Sequence, residues 1–257
     1  MSTLDDAFAR FNRAQEHLAT LHAETAAFLA ADGYKISIEP SLKGQTYRCS
    51  VFGVRAKPVG GAWPLLIGEF LYNLRACLDY IAGGLNGRNF PIDASCQEYF
   101  AMNARGSFVG GFAQTLGMGG PIQAAIEALQ PYNVTPITPR ADPLWLLEAL
   151  RNIDTHGHLH VIAGAITDSA WRVVPSGAIA DGKITIPQSA LGDRTEILRF
   201  KGRMLPEYDP ARVKVEFNTT THVVFGPGQA GEGQDVIELL EKISARVRGV
   251  AEALKEV

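Results

Sequence analysis

The sequence predicts an α+β fold: a helical unit with an early β-hairpin, followed by an antiparallel sheet and a C-terminal helix. Three observations carry this. Residues 3 to 31 repeat apolar side chains at helical spacing, and the stretch from Tyr34 to Val54 alternates with a period of two around a Lys43-Gly44 turn. Alternation then returns between Val161 and Phe225, ahead of a last amphipathic run. A chain of 257 residues that is 46% hydrophobic can bury a substantial core. We read it as a single α+β domain over 1–257. Its helical part runs to about 158 and includes the hairpin 34–56, its strand-rich part covers 159–226, and its final helix covers 232–256.

In the first helix Phe8, Phe11, Leu18, Leu21 and Phe28 form one stripe, and Asp32-Gly33 supplies a stop. His17 and His22 fall on its solvated face. After Gly60-Gly61 and Pro64, an apolar helix is expected from Leu65 to Leu85. The segment 86–120 is irregular, with a short helix near Gln97 to Asn103. Pro121 suits the first turn of a helix carrying Ile126 and Leu129, ended by Gln130-Pro131, and Pro143 suits the start of the next. Strands are expected at 161–166, 171–174, 184–186, 195–200, 213–217 and 223–225. In the last helix Val236, Leu239, Leu240, Ile243 and Val247 make a stripe that needs cover, as does that of the first helix.

The formal net charge of -3 argues against a broadly basic surface for nucleic acid but leaves room for a local basic pocket. The N-terminal MSTLDDAFARFNRAQ lacks the basic and apolar regions of a signal peptide, and no apolar run approaches a membrane span of about 18 residues. The expectation is a cytoplasmic protein without membrane association. Cys49, Cys77 and Cys96 show no CxxC spacing and read as reduced structural thiols. No cofactor or metal is implied by a recognised cofactor motif.

Two polar clusters interrupt the apolar pattern. In GEFLYNLRACLDY (68–80) the side chains of Glu69, Asn73, Arg75 and Asp79 lie on a helix that must be largely buried, and the Arg75 to Asp79 spacing suits an ion pair. The second is RNIDTHGHLH (151–160), with Arg151, Asn152, Asp154 and three histidines in ten positions. The two are expected to form the walls of one site.

The order IGEFLYNLRACLDY, NFPI (89–92), AIEALQPYN (125–133) and PLWLLEALRNIDTH (143–156) resembles a widespread bacterial family of uncharacterised proteins. Its corresponding runs are similar to GDxxHNLRSALDH, FPI, IQPY and NNIDKHR. The resemblance covers about residues 1 to 165 and implies no known activity. This chain has Tyr72 and Tyr80 where the family tends to have His, and Thr155 and Gly157 where it tends to have Lys and Arg.

Three readings of the second cluster follow. Arg151 to His156 resembles the RNxxxH motif of the HEPN superfamily, which includes metal-independent ribonucleases. That resemblance implies an endoribonuclease acting on RNA as a homodimer. His156 would move the proton, Arg151 would neutralise the phosphorane, and Asn152 would orient the phosphate or His156. Asn73, Arg75, Asp79, Asp154 and His158 would contact substrate. In the second reading an extended HxHxH run (His156, His158, His160) with Asp154 holds a metal, with His222 or Glu69 as distant partner. In the third the protein is a non-enzymatic binding or scaffold protein, and the polar residues are structural. Asn152 and Asp154 would cap the helix end, and His156 would bond to Asp79 or Glu69.

The glycine runs GSFVGG (106–111) and GMGG (117–120) read as loops, since neither matches a phosphate-binding motif. FGPGQAGEGQD (225–235) reads as a surface loop.

Overall fold

The computed structural model describes residues 3–31, 34–55, 61–185 and 194–255. The Asp32-Gly33 stop, Gly60 and Ile186 lie outside the described residues. In chain order the elements are α1 (Thr3–Ala30), β1 (Tyr34–Lys43), β2 (Thr46–Arg55), α2 (Trp63–Gly84), α3 (Cys96–Tyr99), α4 (Gly111–Thr115), α5 (Gly120–Ala128) and α6 (Pro131–Val134). They continue with α7 (Pro143–His156), β3 (Val161–Val174), β4 (Ile179–Thr185), β5 (Arg194–Met204), β6 (Lys214–Phe225) and α8 (Val236–Lys255). The fold is α+β, with the early hairpin, the later strands and the closing helix all present.

The contacts divide the chain into two compact units. Unit 1 comprises residues 1–23, 61–160 and 228–257; unit 2 comprises 24–60 and 161–227. The hairpin thus falls in the unit that holds the later strands. β2 pairs with β5 along nine positions, from Thr46 opposite Arg203 to Val54 opposite Arg194, so the hairpin is half of a sheet completed by later strands. Pairing with β5 covers the edge that β2 would otherwise leave open.

In unit 1 the core lies among α2, α7 and α8. On α2, Ile67, Phe70, Leu71, Leu74, Cys77 and Leu78 are buried, a band wide enough to touch neighbours on more than one side. Leu144, Leu147 and Leu150 of α7 and Leu240, Ile243 and Val247 of α8 complete it. Along α1, Phe8, Phe11 and Gln15 meet α8: Lys255 Nζ stands 4.0 Å from the Phe8 ring centroid. Gln15 Nε2 donates to Ser244 Oγ at 2.7 Å, and the Arg248 guanidinium stands 5.0 Å from the Phe11 ring centroid.

In unit 2 the larger sheet has the order β1-β2-β5-β4 and the smaller pairs β3 with β6, all antiparallel. The buried cluster includes Tyr47, Cys49 and Val51 of β2 with Leu198, Phe200 and Met204 of β5. Pro40 lies on β1, an edge strand, where its missing N–H breaks no ladder on the outer side. The two strands expected at 161–166 and 171–174 are one strand, β3, with register shifts at Ala163/Ala165 and Thr167/Ala170. Bulges of this kind break the period of two without ending the strand.

Candidate functional site

The GEFLYNLRACLDY run lies on α2 and the RNIDTH run on the last turns of α7, both within unit 1. α7 starts where Asp142 accepts from Leu144 N–H at 2.8 Å with Pro143 next, an N-cap followed by a proline whose missing donor costs nothing there. Asp142 is itself buried, taking the Thr135 hydroxyl at 2.9 Å and lying 3.5 Å from Arg246 Nε of α8. This cap fixes the rotational phase of α7, and with it the position of every polar residue further along.

Arg75 is the centre of the arrangement. Its side chain is only 13% exposed, and it donates from Nη1 to the carbonyl oxygen of Phe90 at 2.7 Å. Its Nη2 lies 3.2 Å from Asp79 Oδ1, and its Nε lies 3.3 Å from Glu148 Oε2 of α7. Asp79 in turn accepts from Phe90 N–H at 3.0 Å. Arg75 and Asp79 therefore hold both backbone groups of Phe90, a buried side chain, like the two jaws of a clamp. Glu148 also stands 3.7 Å from Arg151 Nη1, so the chain of charges runs Asp79, Arg75, Glu148, Arg151. Burial pushes the Asp79 carboxyl above the ordinary range, with Arg75 and the Phe90 N–H pulling the other way.

Gln130, fully buried, extends this framework. Its Nε2 donates to the carbonyls of Pro91 and Ile126, and its Oε1 accepts from Asp93 N–H, all at 3.0 Å. The NFPI run is thus tied from one side by α2 and from the other by the QPY run. Next to it, Asp93 is raised to about 6 by burial and then by the neighbouring Glu98 carboxylate, with the Gly111 N–H opposing. Gly110 and Gly111 allow this close approach: a Cβ at Gly110 would stand 1.9 Å from the Glu98 carbonyl oxygen, and one at Gly111 would stand 2.1 Å from Asp93 Oδ2. The GSFVGG run ends in tight packing rather than in an open loop. Set against known protein families, curated proteins and solved structures, the chain matches none.

The remaining expected site residues lie apart from the network. Asn73 turns towards α1, donating to the Glu69 carbonyl at 2.8 Å and accepting from Arg10 Nη1 at 3.3 Å. Arg10 stands 5.9 Å from the Tyr72 ring centroid and 5.7 Å from that of Tyr80. Asp154 lies against α2 where Gly68 leaves space; a Cβ there would stand 2.5 Å from Asp154 Oδ2. Its carboxyl is raised by burial and then by Glu69. Asn152, His156 and His158 are exposed. His156 occupies the last turn of α7 and, among the described residues, has no hydrogen-bond or ion-pair partner. The expected staple from His156 to Asp79 or Glu69 is replaced by the guanidinium of Arg75, which reaches Asp79 from four residues away on the same helix.

The geometry also decides the extended HxHxH arrangement. α7 stays helical through His156, so Asp154 and His156 stand about 200° apart around its axis instead of on one face. Among the described residues no three His, Cys, Asp or Glu side chains gather as a metal ion would need. His160 is held by its backbone, whose N–H donates to Gln229 Oε1 at 3.1 Å and whose carbonyl accepts from the Gln229 amide.

Glu148 and Gln130 carry more of this framework than most of the residues singled out from the sequence. Glu148 was legible as the one acidic group in the apolar run PLWLLEAL, three residues before Arg151. Gln130 offers no such signal, because an amide before a proline reads as a helix end.

Proposed function

We propose that this is a non-enzymatic binding or scaffold protein, and that its motif residues are a structural polar network that fixes the NFPI run against α2, α5 and α7. The observation that carries this reading is the engagement of Arg75. Its Nη1 donates to the Phe90 carbonyl, and its Nη2 and Nε lie at ion-pair distance from Asp79 and Glu148, so all three of its nitrogens face groups of the protein. Breaking such a partly buried network is costly, whereas its presence adds uniqueness more than stability.

The arrangement of Arg151 and His156 points the same way. Five residues along a helix is a rotation of about 140°, so the two side chains leave α7 on different sides. Arg151 lies on the side of Glu148, and the Thr155 hydroxyl, one turn on, returns to the Arg151 carbonyl at 2.9 Å. A phosphate between an acid–base histidine and a guanidinium requires the two to converge.

The test is incubation of the purified protein with end-labelled RNA, without added metal, alongside Arg151→Ala and His156→Ala. This reading expects no cleavage that depends on either residue. Cleavage by the unaltered chain that disappears in both folded variants would replace it with the HEPN-like ribonuclease reading, and with it the expected homodimer.

A further inference from the structure

The chain is acidic overall, yet unit 2 holds 13 Lys and Arg against 10 Asp and Glu, a net of +3 beside the whole chain's -3. Much of this charge is on one surface. Because Tyr47, Cys49 and Val51 of β2 and Leu198 and Phe200 of β5 are buried, the alternate residues Thr46, Arg48 and Ser50 and Arg199, Lys201 and Arg203 face outwards. The register then sets cations side by side. Arg48 is directly opposite Lys201, and Lys201 is directly opposite Lys183 on β4. One row further along, Thr46 lies between Lys43 of β1 and Arg203 of β5.

Some of these charges are answered within the sheet and some are not. Arg203 Nε lies 3.5 Å from Asp181, and Arg199 is bound by Glu196. Lys43, Arg48, Lys183 and Lys201 are exposed and have no ion-pair partner among the described residues. Like charges directly opposite on neighbouring strands destabilise a sheet, and here three stand in a row at strand spacings of about 4.8 Å. An anion laid across the row relieves that repulsion.

The surface beside the row is a concavity of about 450 Å³ lined by Gln45, Thr46, Asp181, Lys183, Lys201 and Arg203. It adds an amide and a hydroxyl to the cations, neutral donors that suit phosphate oxygens. Along β5 the cations recur at every second residue, a spacing of about 7 Å, which is of the order of the separation between neighbouring phosphates on an extended strand. On the same face the Arg194 guanidinium, which Glu39 of β1 binds, stands 4.2 Å from the Phe52 ring centroid, a cation–aromatic pair on which a base can stack.

We propose that the outward face of the four-stranded sheet binds single-stranded nucleic acid, with Arg48, Lys183 and Lys201 on the phosphates and Arg194 with Phe52 as a base platform. The proposal concerns unit 2 and does not rest on the reading of the ion-pair network in unit 1.

The experiment is fluorescence anisotropy of the full chain with a labelled 20-mer of oligouridine, and with the matching oligothymidine, over a salt series. Binding is expected with a slope of log K against log salt of about -2, for three phosphate contacts. Arg48→Glu/Lys201→Glu is expected to weaken it at least tenfold, and the milder Lys183→Gln/Lys201→Gln serves if the first variant does not fold. Arg172→Glu, on β3 and paired with Glu216, is the control expected to bind as the unaltered chain does. No saturable binding at low salt overturns the proposal, as does full binding by the folded sheet variants or equal loss in the control. Displacement by polyglutamate as effective as by the oligonucleotide assigns the face to an acidic polypeptide and likewise overturns it.

Discussion

Arg75 Nε of α2 lies 3.3 Å from Glu148 Oε2 of α7, and this contact joins the two helices that carry the chain's polar motifs. Each partner holds something else as well: Arg75 the Phe90 carbonyl and Asp79, Glu148 the guanidinium of Arg151. Of the motif residues, Asp79, Arg75 and Arg151 are thus coupled through a shared ion-pair chain that runs through Glu148.

Gln130 is the first place to test the framework outside that pair. Gln130→Ala removes partners from the Asp93 N–H and the Pro91 and Ile126 carbonyls inside a buried site. The Ile126 carbonyl keeps the Leu129 N–H, whereas the other two groups are left unpaired at a cost of about 1–3 kcal/mol each, so the unfolding free energy from urea titration is expected to fall by about 2–6 kcal/mol.

His156 gives the opposite expectation. Its side chain is exposed on the last turn of α7 and has no hydrogen-bond or ion-pair partner among the described residues, so His156→Ala is expected to change the unfolding free energy by no more than about 0.5 kcal/mol. A loss of several kcal/mol in thermal or urea melts would show that the histidine does hold the fold.

Asp93 sets a pH dependence. Its carboxyl titrates near 6 in the folded protein, above the unfolded value, so the folded state holds the proton more tightly. Stability from this group is complete below the unfolded pKa of about 4 and is lost as pH rises through about 6; partial exposure screens the charge and keeps the loss to about 1–2 kcal/mol. Asp93→Asn is expected to flatten the fall in unfolding free energy between pH 4 and 6.5. An unchanged slope there would assign the fall to other groups.

The elements themselves were legible because their periods are local. The stripe of α8 and the alternation of β2 can be read without knowing what they touch. What could not be read was pairing at a distance: β2 finds β5 some 150 residues on, and no local pattern in either names the other. Asn73 illustrates the same limit on a smaller scale. Its neighbour Arg75 is two residues away and so faces elsewhere, and its partner Arg10 belongs to α1. The role of Phe90 lay in its backbone groups, which side-chain chemistry does not advertise.

The most direct measurement is the coupling energy between Arg75 and Glu148 from a double-mutant cycle of Arg75→Ala, Glu148→Ala and the pair, by equilibrium urea unfolding. A structural network predicts that each single variant loses about 2–4 kcal/mol and that the pair is coupled by about 1–3 kcal/mol. Fully stable single variants with no coupling would contradict it.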